Sequence, residues 1–364
     1  MDVKDIKFDC KYYKGEIPCV PNKLRGKICS DCDEYVAINK RILIIKIGAI
    51  GDVIRTTPLL FKIKEVYPNS HVTWITNYPD ILPDDVDFAM KLGYNSILFV
   101  QNSTFDIAIN LDKEKDACFL MKNAKAEQKY GFSWADKDHI IGLNREANDK
   151  ILTGLFDNYS KSNTKSYQEE IFSICGFKFN NEPNLLKVDD NFSAKWGILK
   201  SKSEGKPVVG LNTGCGKRWI TRRWPREYWS ELIQLLKSSN FYPVLLGGED
   251  EHDMNLKYSK DTGAFYPGYF SVREFIAIIN NCDIIVTAVS MAMHIASGLQ
   301  KPIVLFNNIF NKSEFELYGK GLILEPNSGC DCYYGSECVR KRHCMQDLFP
   351  DIVLSSVISL NQKI

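Results

Sequence analysis

The sequence predicts an α/β protein with two parallel-sheet domains that face a central cleft, and with cysteine-rich segments at both ends. Short apolar runs alternate with helical patterns, as is typical of parallel sheets covered by helices. The chain turns polar around residues 190–206, where we place the linker between the two domains, and the alternation then begins again. A chain of 364 residues also exceeds one ordinary core. We therefore predict a cysteine-rich segment at 1–40, domains at 41–200 and 201–328, and a cysteine-rich knuckle with a closing helix at 329–364.

The composition argues against several classes of protein. Charged residues make up 25% and hydrophobic residues 45% of the chain, and its formal net charge is +1, so no overall charge favours nucleic acid. The first residues lack the apolar core of a secretory signal, and no apolar run reaches the roughly 18 residues that span a membrane. We expect a cytoplasmic protein with no nucleic-acid partner.

The first strand and the turn after it carry the strongest local pattern. Residues 41–47 are apolar and rich in β-branched side chains, which predicts a buried parallel strand. Gly48 and Gly51 allow a tight turn, and Asp52 opens a helical pattern. Asp52 is thus predicted at the carboxyl edge of a strand, where open α/β sheets bind their ligands. The residue suits either catalysis or a helix N-cap.

The remaining elements follow from apolar periodicity and turn residues. In the first domain we predict strands at 71–76, 96–100 and 105–110 and a helix at 165–177. In the second domain we predict strands at 207–211, 242–246, 283–287 and 302–306 and helices at 226–236, 272–279 and 293–298.

Twelve cysteines are many for a reducing compartment, where clustered thiols indicate a metal before a disulfide. The chelating spacing of Cys29 and Cys32 predicts a zinc site, with iron as the alternative, and a second set near the end of the chain predicts a compact knuckle. An all-cysteine tetrahedral site is structural because it leaves no open position. Spacing leaves open whether the sets bind two ions, share one or stay unliganded. The predicted ligands are Cys10, Cys19, Cys29 and Cys32 in the N-terminal set and Cys330, Cys332, Cys338 and Cys344 in the C-terminal set.

Four stretches together resemble glycosyltransferase family nine, which contains the ADP-heptose lipopolysaccharide heptosyltransferases. They are the turn with Lys46, Gly51 and Asp52, then Trp224-Pro225, Gly247-Gly248-Glu249 and Met293-His294, in the order of the family over about residues 41–325. The turn with the Arg-Trp-Pro element is fairly specific, whereas each glycine pair alone is weak. The resemblance implies a GT-B fold of two Rossmann-like domains and inverting transfer from a nucleotide-activated sugar, with no catalytic metal.

The resemblance also implies roles for single residues. Asp52 matches the family's catalytic base, and Arg222 matches the basic residue that stabilises the leaving diphosphate. Glu249 would accept a hydrogen bond from the ribose, and His294 would donate one towards the diphosphate. A solvated basic loop, a surface turn and a core histidine are the respective alternatives for Arg222, Glu249 and His294. The implied donor-binding set is Thr213, Gly214, Gly216, Lys217, Arg223, Glu249, Ser290 and His294.

The acceptor side is implied to contain Lys46, Gly51 and Arg55, with Asp112 beside them. The charged members of this group suit either an acceptor site or local ion pairs.

One departure from the family pattern concerns donor recognition. The family usually carries Asp-Ser/Thr-Gly before the helix of His294, and here the aligned residues are Val289, Ser290 and Met291. The change is compatible with another sugar, with another way of holding heptose, or with a domain that binds without turnover.

The sequence thus predicts an inverting glycosyltransferase that moves a heptose from an ADP-activated donor to a lipopolysaccharide-type saccharide. A lipid-linked acceptor would bring the protein into peripheral contact with a membrane. A protein side chain is the alternative acceptor, because some heptosyltransferases that resemble this family modify proteins and carry a cysteine-bound iron finger. A non-catalytic nucleotide-sugar-binding protein is the third reading.

Overall fold

The first lobe is built on a six-stranded sheet in the computed structural model, which describes residues 2–363. Its strands are β1 (Lys40–Ile45), β2 (Ser70–Thr76), β3 (Phe88–Lys91), β4 (Thr104–Asn110), β5 (Lys125–Trp134) and β6 (Ile140–Gly142). The spatial order is β3-β2-β1-β4-β5-β6, and all neighbours are parallel except the antiparallel edge pair β5 and β6. The sheet is therefore of the predicted open parallel type.

The second lobe repeats this design with five strands. They are β7 (Val208–Asn212), β8 (Tyr242–Leu246), β9 (Ile284–Ala288), β10 (Ile303–Phe306) and β11 (Gly321–Leu324). The order is β11-β10-β9-β7-β8, and every pair is parallel. Two parallel sheets in one chain confirm the predicted α/β architecture.

Fifteen α-helices occur within residues 2–363. They are α1 (Val20–Arg25), α2 (Ile50–Ile54), α3 (Leu59–Val66), α4 (Tyr94–Asn102), α5 (Lys115–Asn123), α6 (Arg145–Leu155), α7 (Asp157–Ser162), α8 (Tyr167–Ile174), α9 (Asp190–Trp196), α10 (Ile198–Lys202), α11 (Arg226–Ser238), α12 (His252–Thr262), α13 (Val272–Asn280), α14 (Met291–Gly298) and α15 (Pro350–Asn361). Among the residues described, none of these helices is both long and apolar enough to cross a membrane.

Strand β1 lies in the middle of the first sheet, between β2 and β4. Ile42, Leu43, Ile44 and Ile45 have no solvent-exposed surface, although successive side chains of a strand point to opposite faces. Both faces of β1 are therefore covered, which explains why its sequence is continuously apolar rather than alternating.

The predicted strand at 96–100 is wrong, because these residues lie in helix α4. The serine at the third helical position, Ser96, bonds back to the backbone of Gly93 and stabilises the first turn. Ile97 and Leu98 are about 40% exposed, so this apolar run is only half buried on a helix surface. A short apolar run does not by itself distinguish a strand from a helix.

Residues of the predicted linker are helical and lie against the second lobe. Helix α9 packs on α13, where Trp196 Nε1 donates to Glu274 Oε1 at 3.0 Å and Lys195 pairs with the same carboxylate. The chain reaches these helices through a segment that contacts both lobes, since the Leu185 backbone bonds Thr57 and the Asn184 side chain bonds Ser297. The connection between the lobes is thus packed along its length.

The closing helix α15 packs on α11 and on β9 and β10. Just before it, the Leu348 carbonyl accepts a 2.8 Å hydrogen bond from Trp224 Nε1. Helix α15 is therefore part of the second lobe.

Candidate active site

Asp52 lies in the short helix α2, directly after β1 and its glycine turn. Ala49 is the N-cap of this helix and no side chain caps it, so the N-cap interpretation of Asp52 is wrong. The Asp52 side chain is 31% exposed and points towards basic neighbours. A carboxylate at this sheet edge, free of a capping role, is available to a ligand.

Two cations hold the Asp52 carboxylate. Arg55 Nη2 lies 2.8 Å from Oδ1, and Lys46 Nζ lies 3.7 Å from Oδ2. The guanidinium of Arg55 also stacks on the Tyr167 ring at 3.7 Å, which fixes its position. Burial raises the pKa of Asp52, but Arg55 and Lys46 together outweigh burial and hold it below its usual range. Asp52 is therefore ionised at neutral pH.

Asp112, just after β4, fixes the backbone of the glycine turn that follows β1. Its Oδ2 accepts hydrogen bonds from the backbone N–H groups of Ile47 at 3.0 Å and Gly48 at 2.5 Å, and Lys46 Nζ lies 3.4 Å from the same oxygen. The Lys46 side chain is only 5% exposed. Lys46 and Asp112 thus form a buried ion pair that positions Asp52.

Gly51 allows the two lobes to touch beside Asp52. A Cβ at this glycine would overlap the imidazole ring of His294, which lies on α14 of the second lobe. Burial and the nearby Arg55 lower the pKa of His294 to about 3, so the imidazole is neutral at physiological pH. His294 is partly exposed at this interface, where it faces the site and not a lobe core.

An interlobe cavity of about 650 Å³ opens on Asp52 and Arg55. Its first-lobe wall comes from the ends of β1, β4 and β5 and from α6, α7 and α8, and its second-lobe wall comes from loops. Basic and acidic side chains are present in equal number, so the cavity suits a polar ligand without a strong preference for either charge. The charged lining residues are Lys46, Arg55, Lys113, Lys150, Arg218, Asp52, Asp112, Glu114, Asp157 and Glu314.

Four second-lobe residues of this cavity, Arg218, Trp219, Glu314 and Tyr334, were not predicted as site residues. Trp219, Glu314 and Tyr334 lie in separate loops, and the Tyr334 hydroxyl donates to Glu314 Oε1 at 3.0 Å. The Trp219 and Tyr334 rings pack edge to face with centroids 5.8 Å apart. Trp219 lies in the basic loop before Trp224-Pro225 and Tyr334 lies in the cysteine-rich segment, but neither pattern indicates that these rings face this cavity. No motif surrounds Glu314.

A second cavity of about 490 Å³, the donor-side cavity, lies at the carboxyl ends of β7, β8 and β9. Five predicted donor-binding residues line it, and so do Asn212 and Glu251, which were not predicted. The predicted residues in its wall are Gly214, Gly216, Lys217, Glu249 and Ser290.

Asn212 ends β7 and orders the loops of the donor-side cavity. Its side-chain amide donates to the Gly214 carbonyl at 2.7 Å and to Thr287 Oγ1 at 3.0 Å, and it lies 3.2 Å from Ser290 Oγ. This residue immediately follows a predicted strand, so the rule that singled out Asp52 could also have found it.

Thr213, Arg223 and Arg222 lie outside the wall of the donor-side cavity. Thr213 Oγ1 donates to Asn255 Oδ1 at 2.7 Å, and both Thr213 and Arg223 line a smaller adjacent cavity. Arg222 is 7% exposed and donates to the backbone carbonyls of Cys215 and Val289. In this arrangement Arg222 ties together the two loops that form the donor-side cavity.

The two cysteine sets lie in different parts of the molecule. Cys10, Cys19, Cys29 and Cys32 line one cavity in the N-terminal segment. In the C-terminal set, the Asn308 side-chain amide lies 3.5 Å from Cys344 Sγ and 4.0 Å from Cys330 Sγ, and the Cys332 N–H points to Cys330 Sγ at 3.3 Å. Across residues 2–363, no three His, Cys, Asp or Glu side chains converge closely enough to hold a metal ion as they stand. Metal binding at both sets remains a prediction.

Comparison with known proteins agrees with this architecture. The model of glycosyltransferase family 9 (heptosyltransferase) matches residues 99–320, more than half of the chain. The chain belongs to glycosyltransferase family 9. As a family 9 member it is a glycosyltransferase.

The relatives and solved structures that this chain resembles are distant in sequence. Lipopolysaccharide core heptosyltransferase OpsX of Haemophilus influenzae is 27% identical over 284 residues, which cover 73% of this chain and 78% of OpsX. A family 9 glycosyltransferase structure from Veillonella parvula superposes with a TM-score of 0.70 at 18% identity, covering 90% of this chain and 98% of that one. The ADP-heptose heptosyltransferase II structure of E. coli gives 0.66 at 17% identity, covering 89% and 99%. These two structures establish a shared fold.

The departure from the family 9 pattern at residues 289–291 lies at the donor-side cavity. The Val289 carbonyl accepts from Arg222, and the Ser290 hydroxyl lies 3.0 Å from Thr287 Oγ1. Met291 begins α14 and lines the cavity, where the usual pattern has glycine. Arg222 and Thr287 thus hold the loop in place, and the Met291 side chain occupies cavity wall that a glycine would leave free.

Proposed function

We propose that this family 9 enzyme is an inverting transferase that moves heptose from an ADP-activated donor to a saccharide acceptor. The position of Asp52 carries the proposal. This ionised carboxylate lines the interlobe cavity and lies near His294. His294 is in the first turn of α14, whose N-terminal residues line the donor-side cavity. A donor and an acceptor bound in the two cavities would meet beside Asp52.

Asp52 is the proposed general base. In an inverting transfer, one base removes the proton of the acceptor hydroxyl as that hydroxyl attacks the anomeric carbon, and the diphosphate leaves from the opposite face. Oδ1 is engaged by Arg55, whereas Oδ2 is 3.7 Å from its nearest cation, Lys46. Oδ2 is therefore the oxygen that would accept the proton.

The donor-side cavity offers groups for a nucleoside diphosphate. Gly214, Gly216, Gly247 and Gly248 lack side chains that would keep a phosphate from the backbone, and the first residues of α14 present N–H groups to the same space. The Lys217 ammonium is mostly exposed at the cavity edge and pairs with Asp250 Oδ1 at 2.7 Å, so it would have to leave this carboxylate to bind a phosphate. Preorganised amides and one cation suit stabilisation of the leaving diphosphate. The E. coli structure with the same fold is an ADP-heptose heptosyltransferase, which supports adenosine and heptose as the first choice.

A saccharide is the proposed acceptor because the interlobe cavity is polar, is balanced in charge and contains the aromatic rings of Trp219 and Tyr334. A protein side chain is the second candidate. One observation favours it: Tyr334 belongs to the cysteine-rich segment 330–344, which places an exposed surface segment at the rim of this cavity.

Donor titration followed by product analysis tests the proposal. We expect calorimetry to show ADP binding more tightly than UDP or GDP, and ADP-heptose to be consumed only when an acceptor is present. NMR of the product should show inversion at the anomeric carbon. Incubation with a core saccharide and, separately, with a protein extract of the source cells distinguishes the two acceptors. Intact-mass analysis shows which of them gains the sugar. Selective binding of another nucleotide, or retention of configuration, contradicts the proposal.

Replacement of Glu249 by glutamine should weaken ADP binding about tenfold, because a carboxylate–hydroxyl hydrogen bond contributes roughly 1.5 kcal/mol. Glu249 is exposed in the wall of the donor-side cavity, and within the described chain its carboxylate has no bonded partner. Glu231→Gln, on the exposed side of α11, is the control. Equal ADP affinity of the two variants, measured by calorimetry, would remove Glu249 from the ribose site.

Replacement of Arg55 by glutamine should move the acid limb of the kcat–pH profile to higher pH by roughly one to three units. Arg55 is the main cation that lowers the pKa of Asp52, so its removal leaves burial to raise that pKa. With a raised pKa, the Asp52 carboxylate becomes protonated at a higher pH and can then no longer act as a base. Arg145→Gln, on the surface of α6, should leave the profile unchanged. An unshifted limb in Arg55→Gln would show that Asp52 is not the titrating base.

A further inference from the structure

The four N-terminal cysteines surround a single small cavity. Cys10 forms an isolated bridge with Ala37, Cys19 is the N-cap of α1, and Cys29 and Cys32 lie in the turn after this helix. All four line one cavity of about 200 Å³, and all four are free thiols. Residues that are far apart along a short segment have thus been brought to one place.

The other residues of this cavity determine which ligand it suits. No histidine or carboxylate lines it, so thiols are its only metal ligands. Its remaining walls are mainly aromatic and aliphatic, and they include the partly exposed side chains of Tyr12, Tyr13 and Ile28. Lys7, Lys14 and Lys27 are also in the lining, and their charges oppose the two net negative charges of a divalent ion bound by four thiolates. Soft thiolate ligands in a tetrahedral set select zinc or iron.

We propose that Cys10, Cys19, Cys29 and Cys32 bind one metal ion through four thiolates, at a structural site separate from the C-terminal cysteines. Each thiol loses its proton when it binds, so uptake of the ion releases protons. The C-terminal set lies around Asn308 in the second lobe and contributes no residue to this cavity. The two sets are therefore not pooled into one site.

The N-terminal segment needs such an ion for its stability. Phe8, Ile17 and Leu24 are 52%, 67% and 72% exposed, so the segment has little core of its own. The thiols line the cavity wall without converging, and a metal ion would draw them inward and supply folding energy. The Lys11–Asp87 ion pair of 3.1 Å would connect the ordered segment to the first lobe.

Metal analysis of the full-length protein tests the site. We expect the double variant C29A/C32A to contain one metal equivalent fewer than the wild type, whatever the total. Cobalt substitution should give thiolate-to-cobalt absorption bands. In the variant, the intensity of these bands should fall in proportion to the one metal equivalent that is lost. Cys175→Ala, which removes a buried thiol at the end of α8, should keep the wild-type metal content. Equal metal content in C29A/C32A and the wild type would overturn the proposal.

If the variant does not fold, alkylation of the wild-type protein still tests the metal site. In the native protein, Cys10, Cys19, Cys29 and Cys32 should resist iodoacetamide until a chelator is added, as read by peptide mass spectrometry. Prompt alkylation without chelator overturns the site, and so does resistance that only a reductant removes, since that would reveal disulfides. Neither measurement depends on transferase activity, so failure here is distinct from failure of the proposed function.

Discussion

Replacement of Asp52 by asparagine should lower kcat of glycosyl transfer by about 10³-fold, within the usual range for loss of a general base. Asparagine has nearly the same shape but cannot accept the hydroxyl proton, so the chemical step fails while the fold remains. ADP affinity should be unchanged, because the donor-side cavity is lined by second-lobe residues. Steady-state kinetics and calorimetry on the same preparation measure both quantities.

The matched control is Asp84→Asn, which breaks an exposed ion pair with Lys187 far from either cavity. It should retain wild-type kcat. Full transfer by Asp52→Asn with normal donor binding would show that another group is the base. Loss of both transfer and ADP binding would instead assign Asp52 a role in the fold.

Gly51→Ala should reduce kcat by roughly 10²-fold, since a misplacement of about 1 Å at reacting groups has that effect. The added methyl would overlap the ring of His294, so either the imidazole must turn away or the lobes must separate next to Asp52. Both outcomes move the donor relative to the base. The free energy of unfolding of the first lobe should change little, because the overlap lies between lobes.

Gly93→Ala is the control for this substitution. Gly93 is in extended backbone, and a Cβ there meets no atom within 4 Å. Its kcat should match that of the wild type. Wild-type kcat in Gly51→Ala would show that the contact between Gly51 and His294 is not needed during turnover.

Much of the first sheet edge could be predicted because its signals are local. The apolar run of β1, the glycines after it and the helix that follows are adjacent in the chain, and burial on both faces requires such a run. The same reasoning failed at residues 96–100, where α4 is half buried and its apolar run is as short as a strand. Strands β3, β5, β6 and β11 were not predicted, and most of their residues are partly or fully exposed.

Arg222 shows where the family pattern leaves the atomic role open. The resemblance singled out this residue for the diphosphate, and in the structure its guanidinium donates to the carbonyls of Cys215 and Val289. An arginine that joins two loops and one that binds phosphate have the same sequence signature, because both functions need a guanidinium in the loop between β7 and α11. Only the position of its N–H groups separates these roles.

The sequence by itself determined the two α/β units, the carboxylate at the first strand edge and the two cysteine sets, since each depends on neighbouring residues. The tertiary structure alone decided that His294 lies against Gly51, that Glu314 and Tyr334 complete the interlobe cavity, and that four separate N-terminal cysteines share one cavity. Periodicity encodes which face of an element is buried. It does not encode which distant element covers that face, because that choice depends on the packing of the whole chain.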